Sequence, residues 1–280
     1  MWRLSAPSFA MTPWRIISRR SQGVLGLLKM LKIEFSKMRR RPFILIATLA
    51  AVILPAPISL LAARTGQGYD FLYKSVINLG QLMLLIPVLC IVAAMLFFEE
   101  RDNNTLKSLK IVPVSMNMLA SSKLIVLLVV SVLYSILAFV STVVFSLIGH
   151  MTVEQFAIKL LFCIAAGIMV WVASLPCIAL IVVFNRNYIF SVLCSFLYAV
   201  MGFIITNATI RTAAPNVFMI LPVNVINRWL LPFFQNLDTA SYPFDIGPSS
   251  VSTIFCVIYL LIYTVAFGWI ICNRFRKWDN

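Results

Sequence analysis

The chain has 280 residues, 61% of them hydrophobic and only 11% charged, with a formal net charge of +14. Soluble domains carry about a quarter charged residues, so this balance excludes an ordinary soluble protein. A charge of +14 would suggest nucleic-acid binding in a soluble basic domain, but here the basic residues cluster around apolar runs, and nucleic acid is set aside as a partner. Six runs are long enough to cross a hydrocarbon core of about 30 Å: 43–62, 76–98, 124–148, 157–184, 188–206 and 252–272. None shows the two-residue alternation of a barrel strand. The fold class is therefore all-α, a polytopic bundle of six transmembrane helices.

In chain order, residues 1–29 come first, rich in Arg, Ser, Pro and Trp and without acidic residues. They read as a leader or a disordered extension preceding the membrane domain, 30–280. Leu27, Leu31, Phe35 and Met38 then recur at helical spacing, with Lys32, Lys37, Arg39 and Arg40 around the remaining circumference. Such a helix lies in the headgroup layer, where its basic face meets anionic membrane lipid. Pro42 turns the chain into the first span, which carries Pro55 and Pro57 near its far end. A short external loop, 64–75, leads to span two. Pro87 in span two and Pro176 in span four are expected to kink their helices. Residues 185–187 leave room only for a tight hairpin between spans four and five. The external segment 207–251 contains the apolar stretch 217–234, interrupted by Pro222 and Pro232 and made polar by Asn224, Asn227 and Arg228. It reads as short helices dipping partway into the outer leaflet.

With the N-terminus in the cytoplasm, eighteen of the 23 Lys and Arg fall on the cytoplasmic side, all but Arg64, Lys74, Lys159, Arg211 and Arg228. That is the positive-inside bias, and six spans return the C-terminus to the same side. A seventh crossing would put the basic tail outside. The six cysteines lie in or at the ends of spans, none at metal-ligand spacing, and read as small buried apolar residues.

The segment 99–123 differs from everything around it. Glu99 and Glu100 end span two, and Asp102, Asn103 and Asn104 can cap a helix start. Leu106, Leu109 and Val112 follow at intervals of three up to Pro113; Ser115 offers a second cap, and Lys123 marks the return to the membrane. The pattern is a short amphipathic helix lying across the cytoplasmic membrane face. A soluble motor that pushes on transmembrane helices needs a rigid element of that kind.

These residues resemble a family. Glu100 and Arg101, then Thr105, Leu106 and Leu109, then Pro113, Val114 and Ser115, and finally Lys123 look like the loop of ABC-2 type ABC-transporter permeases. The architecture of 30–280 is similar too, with its interfacial helix, six spans, large outer loop and short tails. Asn104 and Ser122 stand where the family usually has Gly, at turn or capping positions that Asn and Ser also fill. The resemblance implies that 104–113 is a coupling helix seated in a separate ATPase subunit, with Glu99, Glu100 and Arg101 forming ion pairs at the joint. It implies no cofactor in this chain, with ATP and Mg in the partner subunit, and a dimer with a second copy or a sister permease. Among such permeases, size and general pattern look most like bacitracin and lantibiotic self-protection exporters of the bacterial cell membrane, an analogy rather than a binding motif.

Rival functions have weaker support. His150 is the single histidine, which excludes a multi-histidine metal centre and argues against a His-dependent membrane protease; no GxxxxGK run binds ATP here. An ion-coupled secondary transporter usually places ionisable groups at mid-membrane. Here Glu99, Glu100 and Glu154 are at span edges and Lys159 is near one end. A non-transporting scaffold or sensor subunit would keep the loop but need no ATP cycle.

Overall fold

A computed structural model describes residues 49–102, 116–184, 188–210, 217–237 and 247–276. The leader and the interfacial helix with Leu31, Phe35, Met38, Arg39 and Arg40 lie outside the described residues, as do Thr105, Leu106, Leu109 and Pro113 of the loop. Among the described residues all regular structure is helical, as the apolar runs require. Five helices are long and apolar enough to cross a membrane, Tyr69–Phe98, Asn117–Ile148, Phe156–Phe184, Phe190–Thr209 and Thr253–Arg276, joined by a shorter apolar helix, Leu49–Thr65.

That first helix turns at Leu54, and α1 (Pro55–Thr65) starts afresh with proline in its first turn, where a missing N–H costs nothing. Gly66 ends α1 with a left-handed φ of 68°, its N–H bonded to the Ala62 carbonyl. The next column begins at Tyr69, earlier than the expected span start at 76. It runs as α2 (Tyr69–Ser75), a π-helical stretch (Val76–Leu85) and α3 (Ile86–Asp102). Pro87 explains part of this: its ring would collide with the Met83 carbonyl of a regular α-helix, and a wider turn before it relieves the clash. Helix α4 (Met116–Ile148) likewise starts before the apolar run does. The turn after it holds His150 and Gln155 at φ 56° and 54°.

Helix α5 (Phe156–Phe184) runs on through Pro176 and α6 (Tyr188–Thr209) follows; the turn expected between them, 185–187, lies outside the described residues. A 3-10 turn (Val217–Ile220) leads to α7 (Pro222–Leu237), another 3-10 turn (Gly247–Ser249) follows, and α8 (Thr253–Arg276) closes the chain. At about 24 Å for its 16 residues, α7 is shorter than a bilayer core.

Helix α5 packs on α3, α4, α8 and the π-helical stretch, which places it at the bundle centre. Its seam with α4 is built from small residues. Ser131 Oγ donates to the Gly167 carbonyl at 2.7 Å, and Cys163 Sγ to the Ser135 carbonyl at 3.3 Å. A Cβ on Gly167 would overlap Ser135 Oγ, so only glycine permits this approach. Burial falls steeply outward: 72% of the Tyr69–Phe98 apolar window is buried, against 17% for α8. Residues such as Leu261, Ile262, Val265 and Trp269 therefore face the surroundings, which suits lipid.

Candidate functional site

Two ends of the bundle carry polar chemistry. At the end that the charge bias assigns to the cytoplasm, Glu99, Glu100 and Arg101 fall on the last turn of α3, which continues through Asp102. Residues 103–115 of the predicted loop lie outside the described residues, and α4 carries the chain on from Met116. Within α4, Lys123 is wholly buried. Its Nζ donates to the Leu96 carbonyl at 2.6 Å and lies 5.6 Å from the centre of the Phe97 ring. Phe97 in turn meets Phe275 of α8 edge-on, centroids 5.4 Å apart. Ser121 and Cys272 add a 4.0 Å contact between α4 and α8. These contacts bind α3, α4 and α8 to one another at this end of the bundle. Lys123 was legible as a boundary lysine; its burial was not, because its anchor is a main-chain atom that no sequence pattern marks.

At the opposite end, Lys159 of α5 is 1% exposed and paired with Asp70 of α2, which is 31% exposed. The ammonium also lies 4.4 Å from the Tyr69 ring centre and 5.9 Å from that of Tyr73. Tyr73 Oη donates to the Lys159 carbonyl at 2.8 Å. Edge-on contacts with Phe139 and Phe234 hold Tyr73 in place. One helical turn inward from Lys159, Gln81 Nε2 donates to the Cys163 carbonyl at 3.3 Å and to its Sγ at 2.9 Å. Gln81 Oε1 and Tyr69 Oη are buried without a hydrogen-bond partner.

Helix α7 covers this end. Arg228 is 1% exposed. It donates to Asn224 Oδ1 at 3.2 Å, the Ser249 carbonyl at 3.0 Å and the Thr209 carbonyl at 2.5 Å, tying α7 to the end of α6 and to the turn before α8. Desolvation lowers its pKa from the ordinary guanidinium value. Phe162 and Phe233 stack at 3.4 Å, with Trp229 beside them at 5.6 Å. Asp70, Lys159 and Arg228 were read as loop or span-edge charges. The one available signal was the Asn224–Arg228 spacing of four residues, which puts both side chains on one helix face.

Among the described residues no cluster of three His, Cys, Asp or Glu could hold a metal ion, and His150 is exposed in the turn after α4. Over residues 30–202 the chain matches the family described as ABC-2 family transporter protein. No curated protein matches it. The matched stretch includes the segment 99–123, four of the six expected spans and most of the fifth.

Proposed function

The chain belongs to the ABC-2 family of transporter proteins, and from that premise we propose that it is the membrane-spanning permease of an ATP-driven exporter. The supporting observation is the family match through 30–202, which takes in the whole 99–123 segment at the charge-rich end of the bundle. In this reading the partner ATPase binds ATP and Mg, and residues 104–113 seat in its surface. Nucleotide-driven closure of two such subunits would press on the base formed by α3, α4 and α8. A six-span chain supplies half of a translocation path, so a second copy or a sister permease completes it. Pressure at that base then shifts the two halves between two packings of the bundle.

The cargo proposed is an antimicrobial peptide of the bacitracin or lantibiotic type, or another amphipathic or lipid-linked compound, removed from a bacterial cell membrane. The aromatic group of Phe162, Trp229 and Phe233 suits such a molecule. Asp70 and Lys159 sit in the first turns of their helices rather than at mid-depth, so they do not favour ion coupling.

The test is co-purification of the permease with an ATPase, followed by replacement of Leu106 and Leu109 with Asp. The expected result is loss of permease-stimulated ATP hydrolysis, and of any protection of cells against bacitracin or lantibiotics. A variant complex that assembles and hydrolyses ATP normally would overturn the coupling role. Sensitivity unaffected by deleting the permease would remove the proposed cargo.

A further inference from the structure

The Asp70–Lys159 pair is not demanded by stability. A buried ion pair roughly breaks even against apolar residues of similar size, because desolvating two charges offsets their attraction. The arrangement is also asymmetric. Asp70 is 31% exposed while Lys159 is sealed behind it at 1%, so the carboxylate can turn into water without carrying the lysine along. Ionisable groups placed this way in membrane helices point to a working role.

What lies inward of the pair is polar. On α5, Cys163 follows Lys159 by one turn, about 6 Å deeper. On the facing column, Gln81 holds Cys163 through both its carbonyl and its thiol. Gln81 Oε1 and Tyr69 Oη are buried with hydrogen-bonding capacity unused. In a permanently dry seam each such atom is destabilising; a seam that periodically admits water or a hydrogen-bonding ligand recovers that cost in its open form. The column itself is π-helical from Val76 to Leu85 between two α-helical segments. π-Helical insertions are rare and recur at functional sites.

We propose that the Asp70–Lys159 pair is the latch of an outer gate, and that parting it opens the Gln81–Cys163 seam to the outside. This rests on the transport reading, and it names the place where a hydrogen-bond donor of the cargo, such as an amide or hydroxyl, would meet Gln81 Oε1.

The native Cys163 reports on the gate directly. With the other five cysteines replaced by Ala, intact cells are treated with a membrane-impermeant sulfonated maleimide, and labelling of the purified chain is measured. Cys163 is expected to be protected with the native pair, and to label at least tenfold faster in Asp70→Asn and in Lys159→Gln. The charge-swapped double variant, Asp70→Lys with Lys159→Asp, should restore protection. A companion chain that keeps only Cys177, deep in α5, should stay unlabelled in every background. Equal labelling of Cys163 with and without the pair overturns the latch, as does unrestored protection in the swap, or Cys177 reacting in parallel. Either single variant suffices if the other fails to fold. The readout needs no ATPase, so a failed latch leaves the coupling experiment untouched, and a failed coupling experiment leaves the latch result standing.

Discussion

Lys123 and Lys159 invite comparison, since both are buried lysines near the starts of consecutive helices, at opposite ends of the bundle. Each ammonium lies near an aromatic ring, Phe97 for Lys123 and Tyr69 for Lys159. They differ in what accepts the proton. Lys123 donates to the Leu96 main-chain carbonyl, an acceptor present whatever side chain stands at position 96. Lys159 pairs with the Asp70 side chain, which is itself 31% exposed. The first arrangement stitches α4 to α3 near the proposed coupling segment. The second joins α2 to α5 through a bond that can part while both helices stay folded. One fold thus uses the same residue type for a fixed joint and for a separable one.

Substitutions sharpen the contrast. Asp70→Asn leaves a buried ammonium without its carboxylate and should lower unfolding stability most, by about 3 kcal/mol, read as a drop in the thermal midpoint of the purified protein. Lys123→Met removes the charged hydrogen bond to the Leu96 carbonyl, and a smaller loss of about 1–2 kcal/mol is expected from the same measurement. The double variant Asp70→Asn with Lys159→Met should lie within about 1 kcal/mol of the parent, because removing both charges also removes their desolvation. If Lys123→Met proved as damaging as Asp70→Asn, the distinction between joint and latch would collapse. A double variant no more stable than Asp70→Asn alone would show that the pair contributes more than it costs.

Much of the architecture was legible because hydropathy is a local property. Any segment that must shed water from about twenty residues shows it in its own composition, and the basic bias shows the proposed sidedness. The spans around 157–184, 188–206 and 252–272 correspond closely to α5, α6 and α8. The starts of the second and third spans were not legible. Tyr69, Asp70 and Lys74 look like loop residues in a hydropathy window, yet they are helical because Lys159 and the surrounding rings accommodate Tyr69 and Asp70. Arg228 was read as an external charge for the same reason, although three oxygens from separate elements surround its guanidinium.

The sequence by itself determined that this chain is a helical membrane bundle. That property follows from the cost of placing unsatisfied backbone and charge in hydrocarbon, which each segment must meet alone. Only the tertiary structure decided which charges are buried and what holds them. Asp70 meets Lys159 at a separation of 89 positions along the chain, and Lys123 meets a carbonyl that every residue carries. A partner chosen by packing leaves no periodic trace in the sequence, because the condition it satisfies exists only once the helices are side by side.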